Sequence, residues 1–90
     1  MVKNKKEIIK RNGINTARYI AMDTWSKDME ENAHYMFHQQ RMIDEEIAEL
    51  RKRGKCDKKR NNYQIYEHEM IYLTAMSSEY KRLGEEYQQF

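Results

Sequence analysis

Positions 22 to 50 read MDTWSKDMEENAHYMFHQQRMIDEEIAEL, and Met22, Met29, Met36, Ile43 and Leu50 recur there at every seventh place. A seven-residue apolar repeat draws one line along a helix, the d position of a heptad, because seven residues make nearly two whole turns. The a positions three residues earlier are Tyr19, Ser26, Ala33, Gln40 and Ile47, a mixed line beside a wholly apolar one. Ile20, Trp25 and Phe37 widen the stripe beyond a two-stranded seam, which fits a bundle or broad hairpin better.

Downstream, Gly54 reads as a helix stop and Asp57 as the cap of the next helix, leaving a connection short enough for an antiparallel hairpin. A second series follows, Tyr66, Leu73, Tyr80 and Tyr87, with Glu69, Met76, Leu83 and Phe90 three places further on and Ile65, Met70 and Tyr72 alongside. Gly84 within it costs about 1 kcal/mol relative to alanine, which points to a kink, a close backbone contact or a frayed end. Upstream, positions 3 to 11 offer only Ile8 and Ile9 for burial, and Asn12-Gly13 reads as a stop because both residues tolerate left-handed backbone. Asn15 or Thr16 would cap the helix that follows. The expected fold is all-α and a single helical domain over 1–90: a short helix over 3–12, then a long antiparallel hairpin of helices over 15–53 and 57–88, dimerising into a helical bundle.

Self-association is expected on size as well as pattern. A chain of 90 residues removes only roughly 60 to 65% of its unfolded surface from water on folding, and a lone hairpin leaves much of each stripe wet. The interface between copies is expected at Met22, Trp25, Met29, Met36, Ile43, Tyr66, Leu73 and Tyr80. Charged residues make up 36% of the chain and proline is absent, a composition between ordinary globular proteins and coiled coils.

The net charge of +2 hides a segregation. Lys3, Lys5, Lys6, Lys10 and Arg11 face only Glu7 at the start, and Arg51, Lys52, Arg53, Lys55, Lys58, Lys59 and Arg60 face only Asp57 at the hairpin tip. Between them lies an acidic band of Asp23, Asp28, Glu30, Glu31, Asp44, Glu45, Glu46 and Glu49. The basic tip, together with Arg18, is the candidate contact for a partner or nucleic acid, each phosphate neutralised steepening salt dependence by about one counterion. The opposite bands can instead pair between copies. The acidic band can also mimic nucleic-acid charge toward a partner, with the basic tip as an anchor.

The basic start is followed by no apolar stretch of the length a signal peptide or membrane span needs, so no membrane partner is expected and the cytoplasm is the expected compartment. Cys56 cannot pair internally, which agrees with a reducing compartment; its neighbours Lys55 and Asp57 leave both a reactive and an incidental thiol open.

Glu31, His34 and His38 share a helix face and match the Glu-x-x-His spacing of carboxylate-bridged metal bundles. One chain lacks the second such motif, so no metal or other cofactor is expected, and these three stand only as candidates. There is no glycine-rich phosphate loop, no Gly-x-Ser-x-Gly elbow and no Cys and His dyad. The chain is therefore expected to bind and not to be an enzyme.

Positions 7 to 20, EIIKRNGINTARYI, resemble a DNA-binding helix-turn-helix, with Gly13 in the turn and Asn15, Thr16 and Arg18 toward base edges. That resemblance implies a DNA-binding regulator. Aromatic and basic residues between subunits would alternatively make an oligomer that sequesters a nucleotide-like ligand. The leading expectation is an oligomeric helical protein that binds a protein or nucleoprotein. Its small size and Lys-, Asn-, Tyr- and Met-rich makeup look like those of regulators and inhibitors encoded by bacteriophages or mobile elements, which block a host or defence complex from the host cytoplasm. That likeness is one of composition.

Overall fold

The computed structural model describes the backbone of residues 4–57 and 63–89, and the side chains of residues 4–53 and 66–89. The chain is all-α, with helices α1 (Lys5–Asp23), α2 (Met29–Asp57) and α3 (Tyr63–Tyr87) and no strand among the described residues. The three helices are partitioned differently from the sequence expectation, and each difference has a physical cause.

α1 begins where Asn4 Oδ1 accepts from the backbone N–H of Lys6 at 3.0 Å, with Glu7 in the positive first turn. It then runs straight through Asn12-Gly13. Gly13 does not take the positive φ of a helix stop; it lies against α3, where a Cβ would stand 2.5 Å from the Tyr72 carbonyl oxygen and 3.0 Å from Ala75 Cβ. The glycine marks a helix crossing. Ile9, Gly13, Ala17 and Ala21, all buried, recur every four residues and form the face turned to α3.

The long helix expected over 15–53 is broken between Asp23 and Met29. Thr24 closes α1 by donating both its backbone N–H and its hydroxyl to the Ile20 carbonyl, at 3.0 and 2.7 Å. The buried side chain of Asn32 grips the backbone of Ser26, its Oδ1 accepting from the N–H at 2.8 Å and its Nδ2 donating to the carbonyl at 2.9 Å. Ser26 Oγ accepts from the Asp28 N–H at 3.2 Å, and Asp28 Oδ1 accepts from the Glu30 N–H at 3.0 Å. Asp28 thereby satisfies the first-turn amide of Glu30, and the acidic residues Glu30 and Glu31 complement the dipole of α2. The heptad line is thereby cut, with Met22 on α1 and Met29 on α2.

Gly54 does not end α2, and Asp57 is its last residue, not the cap of the next helix. α3 starts at Tyr63; the connection between them lies outside the described residues.

α3 is the central helix, packing against both others, while α1 and α2 barely meet. Lys6 lies near Glu67 and Arg18 near Glu79, so α1 and α3 run parallel. Asp44 meets Ser77 and Phe37 meets Gly84, so α2 and α3 run antiparallel. The Cα atoms span 48 × 35 × 19 Å, a flattened slab. Its core joins Ala17 and Ala21 of α1, Met36, Ile43 and Ile47 of α2, and Met76, Tyr80 and Leu83 of α3. Met36 and Tyr80 are the largest fully buried side chains, and removing Met36 from water contributes about 1.5 to 3 kcal/mol.

Candidate functional site

Because α1 turns Ile9, Gly13, Ala17 and Ala21 inward, the residues half a turn away must face out. They include three large apolar side chains: Ile8 is 46% exposed, Tyr19 68% and Met22 70%. Asn12 and Asn15, also exposed, fill the same line. Trp25, just past the helix end, packs its ring edge-to-face on Tyr87 with centroids 5.3 Å apart, yet stays 55% exposed. The exposed apolar side chains thus fall mainly at the carboxyl end of α1, at Tyr19, Met22 and Trp25, and such a grouping is a common mark of an interaction surface.

On the other side of α3, a groove is lined by Met42, Glu45, Glu46, Glu49 and Arg53 of α2 and Glu69, Tyr72 and Leu73 of α3. Its carboxylates outnumber its one guanidinium, and Met42 is 46% exposed at its edge. The Tyr72 hydroxyl meets the Thr16 hydroxyl at 2.7 Å. Tyr19, nearly one turn beyond Thr16, therefore leans toward the face of the slab that carries the groove, whereas Lys10 and Ile14 border a separate groove with Ser78, Glu79 and Arg82. The contacts of Arg18 with Glu79 and of Asp44 with Ser77 also bring Tyr19 and Met42 to similar heights along α3.

The seam between α1 and α3 is closed by a buried carboxylate. Glu79 accepts from Arg18 Nε at 2.7 Å and from Arg82 Nε and Nη2 at 2.9 and 2.8 Å. Hydrogen bonding to Arg82 chiefly, and to Arg18, holds its carboxyl below the ordinary carboxylate value against the opposing effect of burial. Tyr80 is the second buried polar group, and its hydroxyl has no hydrogen-bond partner among the described residues. Burial, with Tyr35 and Tyr72 nearby, pushes its phenol up to about 12.

The expected interface residues divide. Met36, Ile43 and Tyr80 are consumed in the chain's own core and cannot form a surface between copies without unfolding it. Met29, Tyr66 and Leu73 are half-buried, and only Met22 and Trp25 face outward. Of the basic candidates, Arg18 is committed to Glu79, while Arg51, Lys52 and Arg53 are exposed. The side chain of Lys55 and all of Lys58, Lys59 and Arg60 lie outside the described residues. The helix-turn-helix resemblance loses its geometry, since no turn interrupts α1 between Lys5 and Asp23. Glu31 accepts from Ser26 Oγ at 3.2 Å while His34 and His38 are exposed, and no three His, Cys, Asp or Glu gather as a metal site among the described residues. Among those residues no helix is long and apolar enough to cross a membrane.

Tyr19 and Met42 were not among the expected interface residues. The signal for Tyr19 lay in the four-residue period of Ile9, Gly13, Ala17 and Ala21, which assigns the outward side of α1 only once Gly13 is read as a contact. Comparison of the chain with family models, with curated proteins and with solved structures finds no match.

Proposed function

We propose that this protein acts by binding and not by catalysis: a self-associating helical protein that occupies the surface of a host or defence complex, in the manner of small phage or mobile-element inhibitors. The observation that supports this reading is the run of Tyr19, Met22 and Trp25, each more than half exposed, along α1 and its end. Exposed apolar side chains grouped in this way are a common mark of a contact surface. The acidic half of α2 supplies charge toward a basic partner surface.

Light scattering behind a size-exclusion column, at low and high salt, tests the self-association. A dimer or larger species that survives high salt supports it, and its loss in a Met22→Ser, Trp25→Ser variant that keeps its helical circular dichroism ties it to the stripe. A monomer at every concentration overturns it. Nucleic-acid binding is the second reading, and it now stands on the exposed Lys5, Lys10 and Arg11 of α1. Steeply salt-dependent binding of duplex DNA, lost on Lys10→Glu and Arg11→Glu, would favour it over the first.

A further inference from the structure

α3 separates two faces of the slab, and the unpaired charges on them are of opposite sign. On the face described above, Glu45, Glu46, Glu49 and Glu69 border a groove against Arg53, and none of the four enters an ion pair among the described residues. On the other face, two grooves flank the exposed Thr74 and Ser78, which line both. Lys10 and Arg82 border the groove toward α1, and Arg51 and Lys81 the groove toward α2. The acids lining these grooves are already engaged, Glu79 by Arg18 and Arg82 and Asp44 by the Ser77 hydroxyl. Lys10, Arg51 and Lys81 are exposed and enter no ion pair among the described residues.

The helix pairing fixes how these three cations are spread. Asp44 against Ser77 sets Arg51 level with Met70 across the antiparallel pair, and Gly13 against Tyr72 and Ala75 sets Lys10 at nearly the same level across the parallel one. The two stand on opposite sides of α3. Lys81 lies about 16 Å further along it, at roughly 1.5 Å per residue from Met70. Glu7, one turn before Lys10, and Glu85, one turn after Lys81, bound the surface at its two ends. No single phosphate or carboxylate spans such a triangle, so a ligand that satisfies it carries repeated charge. No aromatic side chain lines either groove among the described residues, so nothing there stacks an unpaired base.

We propose that this face binds the phosphate backbone of duplex nucleic acid, an assignment that rests on the nucleic-acid reading above and places its contact across α3. Lys10, Arg51 and Lys81 each neutralise a phosphate, and Thr74 and Ser78 donate to phosphate oxygens. Contacts of this kind carry no base information, so binding is indifferent to sequence. The opposite face, with its unpaired carboxylates, repels the same backbone.

The test is a titration of the full chain into a short fluorescent duplex DNA, read by anisotropy at several salt concentrations, with circular dichroism as the check on folding. Three phosphates predict a slope of log affinity on log salt of about −2.7, a loss of about 40-fold between roughly 50 and 200 mM. Arg51→Ala and Lys81→Ala are each expected to weaken binding at every sequence and to reduce that slope by about one. Glu45→Gln with Glu46→Gln, on the other face, is expected to leave the slope unchanged. Binding that Lys10→Glu and Arg11→Glu abolish but Arg51→Ala and Lys81→Ala leave intact overturns this placement and keeps nucleic-acid binding. Displacement of the duplex by an equal charge of polyglutamate makes the face a receptor for acidic protein and overturns the assignment, and tighter binding of single strands overturns it as well. No binding of duplex at low salt overturns both this placement and the nucleic-acid reading.

Discussion

The two seams on either side of α3 are built on opposite plans. Between α1 and α3 the contact is made by small residues, Gly13, Ala17 and Ala75, so close that backbone meets backbone, and the edge is sealed by Glu79 with Arg18 and Arg82. Between α2 and α3 it is made by large side chains, Met36, Phe37, Ile43 and Leu83, with Ser77 donating to Asp44 at 2.5 Å. A seam of small residues gains dispersion and exactness of fit but has nothing that can move aside, whereas a seam of large side chains can repack. The two glycines on α3's flanks show the difference directly: a Cβ on Gly13 would meet the Tyr72 carbonyl, and one on Gly84 would meet the outer ring atoms of Phe37 at 2.8 Å.

The sharpest way to break the comparison is Gly13→Ala. Because backbone cannot rotate away, the substitution should push α1 off α3 and lower stability by about 2 to 3 kcal/mol despite the better helix propensity of alanine. Urea unfolding measures it, and a loss below half a unit on that scale would show that the seam is looser than described.

Next in size is Glu79→Gln, expected to cost about 1 to 2 kcal/mol, since a buried acceptor of charge-assisted bonds is weakened while both arginines remain partly solvated. It carries a pH signature. Glu79 has its carboxyl lowered from 4.5 by the guanidiniums, so its stabilisation is complete above that value and is lost as pH falls through the lower folded value. The difference between the native protein and Glu79→Gln should therefore shrink in acid, and a difference that stayed constant down the acid limb would detach it from the ion pair.

Gly84→Ala should change stability by no more than about 1 kcal/mol in either direction, the helical gain from alanine offsetting displacement of the Phe37 ring. If it proved as harmful as Gly13→Ala, the contrast between the seams would fail. Smallest at neutral pH is Tyr80→Phe, where the seams meet: removing a hydroxyl that has no partner among the described residues should leave stability within about 1 kcal/mol. Its effect should appear in alkali. The native phenol is raised from 10.0 to about 12, so the native protein loses stability as pH rises between those values, and Tyr80→Phe should flatten that limb of the titration.

Helix content was legible because the apolar periods of Met36, Ile43 and Leu50 and of Tyr80 and Leu83 are properties of the chain alone, and all five are buried. The break at 24–28 was also written in Ser26-Lys27-Asp28-Met29-Glu30-Glu31, where polar caps precede an acidic first turn, but the heptad line running over it concealed it. Gly13 was misread for a different reason. A glycine that ends a helix and a glycine that lets another helix approach look alike in sequence, and only the position of the Tyr72 carbonyl tells them apart. The outward stripe was unreadable for the same cause, since the side of α1 facing solvent depends on where α3 lies.

By itself, then, the sequence determined that this protein is helical, that its helices carry apolar faces, and that its charge lies in bands, because each of these depends only on residues near one another along the chain. Tertiary structure alone decided where the helices end, which methionines are core and which are surface, and how the bands face one another, because those outcomes depend on what α3 brings against residues sixty or so positions away, as Arg18 and Glu79 with their separation of 61 illustrate.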